Sequence, residues 1–139
     1  MKQDEAAAVI YYRSAANLND SEGCYELGKV YADGRGIAKD SEQARVWFRK
    51  AAFLDHAQAA CELAQMYSDG HGGERNAQTA AFWFQVAAGL GNAKAMKALS
   101  QAYRDGHGVE RDEQKANLWQ QKAAALPAVI PGPVKSGDP

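Results

Sequence analysis

Apolar residues along the chain fall into stripes of helical period, broken at regular distances by short polar segments rich in glycine. Over residues 4–17, Ala8, Tyr11, Tyr12, Ala15 and Ala16 sit at i, i+3, i+4, i+7 and i+8, which predicts an amphipathic helix with these five turned inward. Asp4 is placed to cap it, and Asn19-Asp20-Ser21 ends it and starts the next helix, over about 21–32. There Cys24, Leu27, Gly28 and Tyr31 form the stripe, and Val30 widens it. The helix must stop at Asp33-Gly34, because glycine takes the left-handed conformation that closes a helix. Gly36 permits a second change of direction, Ile37 offers an apolar anchor, and Asp40 opens a helix over 40–53 with Gln43 at capping-box spacing. Ala44, Trp47, Phe48, Ala51 and Ala52 face inward on it. The same pattern predicts helices over 57–68, 76–89, 93–104 and 112–125, with Asn76, Asn92 and Asp112 as caps.

These elements are copies of one unit. Asp33-Gly34-Arg35-Gly36 returns as Asp69-Gly70-His71-Gly72 and as Asp105-Gly106-His107-Gly108, a constant step of 36 residues. Tyr31, Tyr67 and Tyr103 keep that step, as do Trp47, Trp83 and Trp119, and Leu27, Leu63 and Leu99. Self-similarity at a fixed period of roughly 20–50 residues is the signature of a solenoid. The predicted fold is therefore all-α, a superhelix of seven helices in antiparallel pairs. An N-terminal helix (4–19) precedes repeats at about 20–55, 56–91 and 92–126, which together make one repeat domain, 1–126. Ala44, Ala80 and Ala116 are small for a steric reason, since a bulky Trp or Tyr needs a small residue opposite. Gly28, Ala64 and Ser100 obey the same rule.

After Leu126 the composition shifts. All four prolines lie in the 127–139 tail with Gly132 and Gly137, which cannot continue a helix. Val129, Ile130 and Val134 could lie over the last helix and cover the open end of the array.

Charge narrows the function classes. A net charge of −1 and a pI near 6.3 give no overall attraction to nucleic acid or to an anionic membrane, so electrostatic recognition has to be local. No apolar run approaches the roughly 20 residues of a membrane span. The start Met1-Lys2-Gln3-Asp4-Glu5 lacks the apolar core of a secretory leader. The expected compartment is the cytoplasm, or the periplasm if a leader has been removed. Cys24 and Cys61, 37 residues apart, fall on different faces, Cys24 toward the core and Cys61 toward the groove; free thiols fit a reducing compartment.

The string Leu27-Gly28-Lys29-Val30-Tyr31-Ala32-Asp33-Gly34-Arg35-Gly36-Ile37, followed by Asp40, Ala44, Trp47 and Lys50-Ala51-Ala52, resembles the Sel-one-like repeat, a relative of the tetratricopeptide repeat. The resemblance covers residues 4 to 126. Gly73 departs from it, replacing the usual aliphatic residue, and the second loop is expected to lose its anchor and to be the most mobile. The resemblance implies a right-handed α/α superhelix that binds proteins or peptides, often in bacterial signalling, secretion or envelope assembly. Some secreted members pair cysteines within each repeat, a pattern this chain lacks.

By analogy with the tetratricopeptide architecture, the helix carrying Leu-Gly-x-x-Tyr lines the concave face. Repeat one then offers Tyr25, Lys29 and Ala32, with Glu22 nearby; repeat two offers Cys61, Gln65 and Ser68, with Gln58. Repeat three offers Lys97, Gln101 and Arg104, with Lys94, so the groove runs from mixed to neutral to cationic. An extended or helical segment with an acidic end or free carboxylate on repeat three is the expected partner. His71 and His107 hold equivalent loop positions beside aspartates, but loops stacked about 10 Å apart are too distant to share a metal bound at about 2 Å. His56 reads as a cap or surface residue. No nucleophile-and-base set and no phosphate loop is present, because the repeated glycines end helices and follow no strand. The expectation is a binding module without catalysis, cofactor or metal. Two alternatives stand beside it: an accessory to cell-wall or β-lactam chemistry, and a scaffold self-assembling through the tail.

Overall fold

The computed structural model describes residues 2–126. Among them are seven helices: α1 (Lys2–Asn17), α2 (Ser21–Asp33), α3 (Ser41–Phe53), α4 (Ala57–Asp69), α5 (Ala77–Gly89), α6 (Ala93–Asp105) and α7 (Glu113–Ala125). Each packs on its neighbours in sequence, most closely within the pairs α2–α3, α4–α5 and α6–α7. α2, α4 and α6 form the inner layer and α1, α3, α5 and α7 the outer one. The tail, including Val129, Ile130 and Val134, lies outside the described residues.

The helix ends follow from local chemistry repeated three times. Asp20, His56 and Asn92 accept the amides of Gly23, Ala59 and Ala95 and so start the inner helices. Gly34, Gly70 and Gly106, all left-handed, close them. Asp40, Asn76 and Asp112 start the outer helices by accepting the amides of Gln43, Thr79 and Lys115. The capping box expected at Asp40 is only half formed, since the Asp40 amide donates to the Tyr31 carbonyl at 2.9 Å. The amides of Asn76 and Asp112 donate to Tyr67 and Tyr103 in the same way. The tyrosine column therefore closes each Asp-Gly-x-Gly loop through its own backbone.

Side chains of that column join one repeat to the previous one. Arg13 donates to the Tyr31 hydroxyl at 3.3 Å, Arg49 to Tyr67 at 2.7 Å and Gln85 to Tyr103 at 3.0 Å. Each loop also seats on the first turn of the preceding outer helix. A Cβ on Gly72 would stand 2.5 Å from the Ser41 carbonyl oxygen, and one on Gly36 2.8 Å from that of Glu5.

The core is a file of small and aliphatic residues. Leu27, Leu63 and Leu99 are fully buried, with Ala44, Ala51, Ala87 and Ala116 against them. The stripe on α1 departs from expectation at two positions, one outside it and one within it. Val9 is buried on α1, whereas Tyr11 is 68% exposed. Tyr11 holds the tryptophan column, but among the described residues α2 is the one helix packed closely on α1, and the ring stays exposed. Trp83 is buried, and Trp47 and Trp119 are half-buried.

The second loop also differs from expectation, because it has an anchor of another kind. Arg45 of α3 is buried and donates to the carbonyls of His71 (2.6 Å) and Met66 (3.3 Å), with its guanidinium 4.0 Å from the Tyr67 ring centroid. It fills the volume that an aliphatic residue at position 73 would take.

Candidate binding groove

Three depressions run along the inner layer; of the sequence-predicted positions Lys29, Ala32, Gln65, Ser68, Lys97, Gln101 and Arg104 line them, whereas Glu22, Tyr25, Gln58, Cys61 and Lys94 do not. The first, between α2 and α4, is bordered by Lys29, Ala32, Asp33, Glu62, Gln65 and Asp69. The second, between α4 and α6, takes in Gln65, Ser68, Gln101 and Asp105 over a floor of Ala80 and Phe84. The third, on α6 and α7, is bordered by Lys97, Ser100, Gln101, Arg104 and Gln120, with Leu126 at its edge. Of the three it is the largest, about 600 Å³ against 450 and 240 Å³. Gln65 borders the first and second depressions and Gln101 the second and third, so neighbouring depressions adjoin along the inner layer.

Burial corrects two of the predicted groove residues. Tyr25 and Cys61 are covered, with 5% and 4% exposure. Tyr25 stacks on His56 of the next repeat with ring centroids 4.4 Å apart, and also meets Phe48. Cys61 lies in the same column, near Lys94 at the start of α6. The position two residues before the central leucine is thus an inter-repeat contact, covered wherever another inner helix follows. Lys97 holds that column on α6 and is exposed, because no further inner helix follows among the described residues. Desolvation pushes the thiols of Cys24 and Cys61 above their usual range and the Tyr25 phenol up to about 12.

His56 does more than the sequence shows. Its Nδ1 accepts the Ala59 amide at 3.1 Å while Nε2 meets Glu22 Oε1 at 2.9 Å, tying α4 back to α2. That bond holds the Glu22 carboxyl below the ordinary carboxylate range. Glu22 and Gln58 are otherwise exposed.

The polar rungs are organised side chains. Gln65 Nε2 donates to Asp69 at 3.3 Å and Gln101 Nε2 to Asp105 at 3.0 Å. Lys29 pairs with Glu26 at 3.4 Å and lies over the Tyr25 ring. Arg104 directs its donors to Asn117 and Gln120 of α7 and stands 3.8 Å from Glu113. Lys94 and Lys97 are exposed, and among the described residues neither forms an ion pair.

The loops belong to this surface, which sequence reasoning missed. Asp33, Asp69 and His71 border the first depression, and Asp105 and His107 the second. The signal was available, since Gln65–Asp69 and Gln101–Asp105 are i, i+4 pairs on one helix face.

Stacked helix pairs with adjoining inner depressions define an α/α repeat solenoid. Matches to a family model for the Sel1 repeat fall at residues 1–20, 21–56, 57–92 and 93–127, and the chain belongs to that family. It is similar to a Sel1 repeat protein from Oxalobacter formigenes, at 30% identity and a TM-score of 0.81 over 86% of this chain and 49% of that one. A protective antigen of uropathogenic Escherichia coli strains with an SLR fold is 35% identical, at a TM-score of 0.79 over 82% of this chain and 24% of that one. The chain thus spans about half of the first relative and a quarter of the second. Helicobacter pylori cysteine rich protein B is 26% identical, at a TM-score of 0.70 over 89% of both chains. No curated protein sequence is a significant match.

Proposed function

We propose that the chain is a non-catalytic adaptor whose inner path takes an extended polypeptide segment, with the acidic or carboxylate end of that segment over repeat three. The Sel1 repeat fold is commonly a protein–protein interaction module, which supports the general reading. The observation that carries the specific one is that the three depressions adjoin at Gln65 and Gln101. Side-chain amides along such a path can donate to and accept from an extended backbone. The charge along it is directional. At one end Lys29 and Lys39 face three acids, Asp33, Glu62 and Asp69, while at the other Lys97 and Arg104 border a depression whose lining holds no acid. A bound segment would therefore lie in one sense only, with its anionic end toward α7.

Fluorescence polarisation with a panel of short labelled peptides tests this reading. Peptides with a free C-terminal carboxylate and acidic last residues should bind more tightly than their amidated forms. Replacing both Lys97 and Arg104 by Glu should weaken them at least tenfold, and so should a Lys94→Glu, Lys97→Glu pair that leaves the Arg104 network intact. Equal affinity for carboxylate and amide peptides, or indifference to both pairs, would remove the proposed polarity.

A further inference from the structure

The outer layer carries a second periodic column that folding does not require. On α1, α3, α5 and α7 the position pointing most directly away from the core is Ile10, Val46, Phe82 and Leu118, again 36 residues apart. These side chains are 65%, 44%, 54% and 48% exposed. A solvated helix places polar residues there, and this chain places an apolar one four times. Phe53, 71% exposed, extends the column at the end of α3 and meets Trp83 edge-on, as does Phe82.

Cations outnumber acids around this column. Three or four residues from its tips on the same helices stand Arg13, Arg49, Lys50, Lys115 and Lys122 against one acid, Glu42, while Asp4, Glu5 and Glu113 lie on the first turns of α1 and α7. Near-neutral net charge conceals this segregation, since α2 and α4 hold acids on the inner side. Lys50 and Lys122 lie over Trp47 and Trp119, with Nζ 5.3 and 4.6 Å from the ring centroids. An apolar tip, an aromatic ring beneath and an ammonium riding on that ring recur on α3 and α7.

We propose that this outer face docks peripherally on an anionic lipid surface. Two like-charged copies would repel, so a second copy of this chain is a poor occupant. A fluid interface admits all the protruding tips at once, whereas a single rigid segment meets only part of such a face. Tryptophan with lysine stems beside it suits the headgroup level, where the ring is half-immersed and the ammonium reaches phosphate. No helix among the described residues is long and apolar enough to cross a membrane, so the contact is interfacial.

Co-sedimentation and tryptophan emission with phosphatidylglycerol–phosphatidylcholine vesicles test the proposal against pure phosphatidylcholine. Binding to the anionic vesicles should be salt-sensitive and blue-shift the emission. Ile10→Ser with Phe82→Ser, and separately Lys50→Glu with Lys122→Glu, should each weaken it at least tenfold. Circular dichroism should show all variants folded, and the inner-face Lys94→Glu, Lys97→Glu pair should bind as the parent does. Failure to bind anionic vesicles overturns the proposal. So does binding that ignores the outer-face substitutions, or capture of an acidic amphipathic peptide by a chain that does not bind vesicles.

Discussion

Arg45 and Gly73 share one volume: a Cβ on Gly73 would stand 2.5 Å from Arg45 Nη1. In the flanking repeats the same pair of columns holds Val9 with Ile37 and Ala81 with Val109. The guanidinium replaces the missing aliphatic residue and bonds two carbonyls besides, although its buried Nε has no partner among the described residues. Arg45→Ala should cost about 1–3 kcal/mol by taking the donor from the His71 carbonyl and emptying the shared volume, while the Met66 carbonyl keeps the amides of Gly70 and His71. Gly73→Ile should also destabilise, by displacing the guanidinium. Arg45→Val combined with Gly73→Ile should recover most of the loss, because it rebuilds the pairing of repeat one. A double-mutant cycle from urea melts measures the coupling, and simple additivity would count against the shared volume.

The two glycines of the second loop should differ in tolerance. Gly70 and Gly72 have φ of +80° and +79°, so alanine at either strains the backbone by about 1–2 kcal/mol. Around Gly70 the nearest atom to an added Cβ is at 3.5 Å, while at Gly72 the Ser41 backbone blocks it. Gly72→Ala should therefore lower the thermal midpoint clearly more than Gly70→Ala, with the excess reporting the seat of the loop on α3.

His56 combines a cap with an inter-repeat tie, and substitution separates them. His56→Asn should keep the cap, as Asn92 does in the next repeat, while His56→Ala should lose about 1 kcal/mol more. The pH dependence rests on Glu22, whose folded carboxyl titrates below the ordinary range chiefly through its bond to His56. Its contribution is present above the ordinary carboxylate pKa and is lost as pH falls through the lowered folded value. Glu22→Gln should flatten that part of the acid limb in a pH series of melting midpoints. An unchanged acid limb would show that the tie adds nothing.

Alkaline pH should weaken the first repeat junction. The buried Tyr25 phenol titrates near 12, against about 10 when unfolded, so its contribution is full below about 10 and declines as pH rises toward 12. Two units correspond to roughly 3 kcal/mol. Tyr25→Phe removes that component, and the variant should lose less stability than the parent between pH 9.5 and 11.5.

Most of the architecture was legible because it is written three times. Turn glycines, caps and the central leucines obey local rules, and each copy corroborates the others. What escaped reading depends on the neighbouring repeat. Tyr25 and Cys61 look like groove residues within their own helix, and only the following repeat buries them. Gly73 looks like a defect until Arg45, 28 residues earlier, is seen in its place. Tyr11 fits the inward spacing, yet its ring needs a second flanking helix for cover. The inner rungs Lys29, Gln65 and Gln101 were read from spacing, whereas the aspartates that hold the two glutamines in place were passed over, because their residues also mark the helix stops.

The bonds to the tyrosine hydroxyls give the array a graded cooperativity. Arg13 and Arg49 donate from cations, whereas Gln85, at the last junction, donates from a neutral amide. Charge-assisted bonds are the stronger kind, so coupling between nearest neighbours is expected to be weakest between the second and third repeats. Opening of the molecule should begin there, on the side that bears Lys97 and Arg104. The segment with the most cationic inner surface would then also be the one most ready to adjust its angle to a partner.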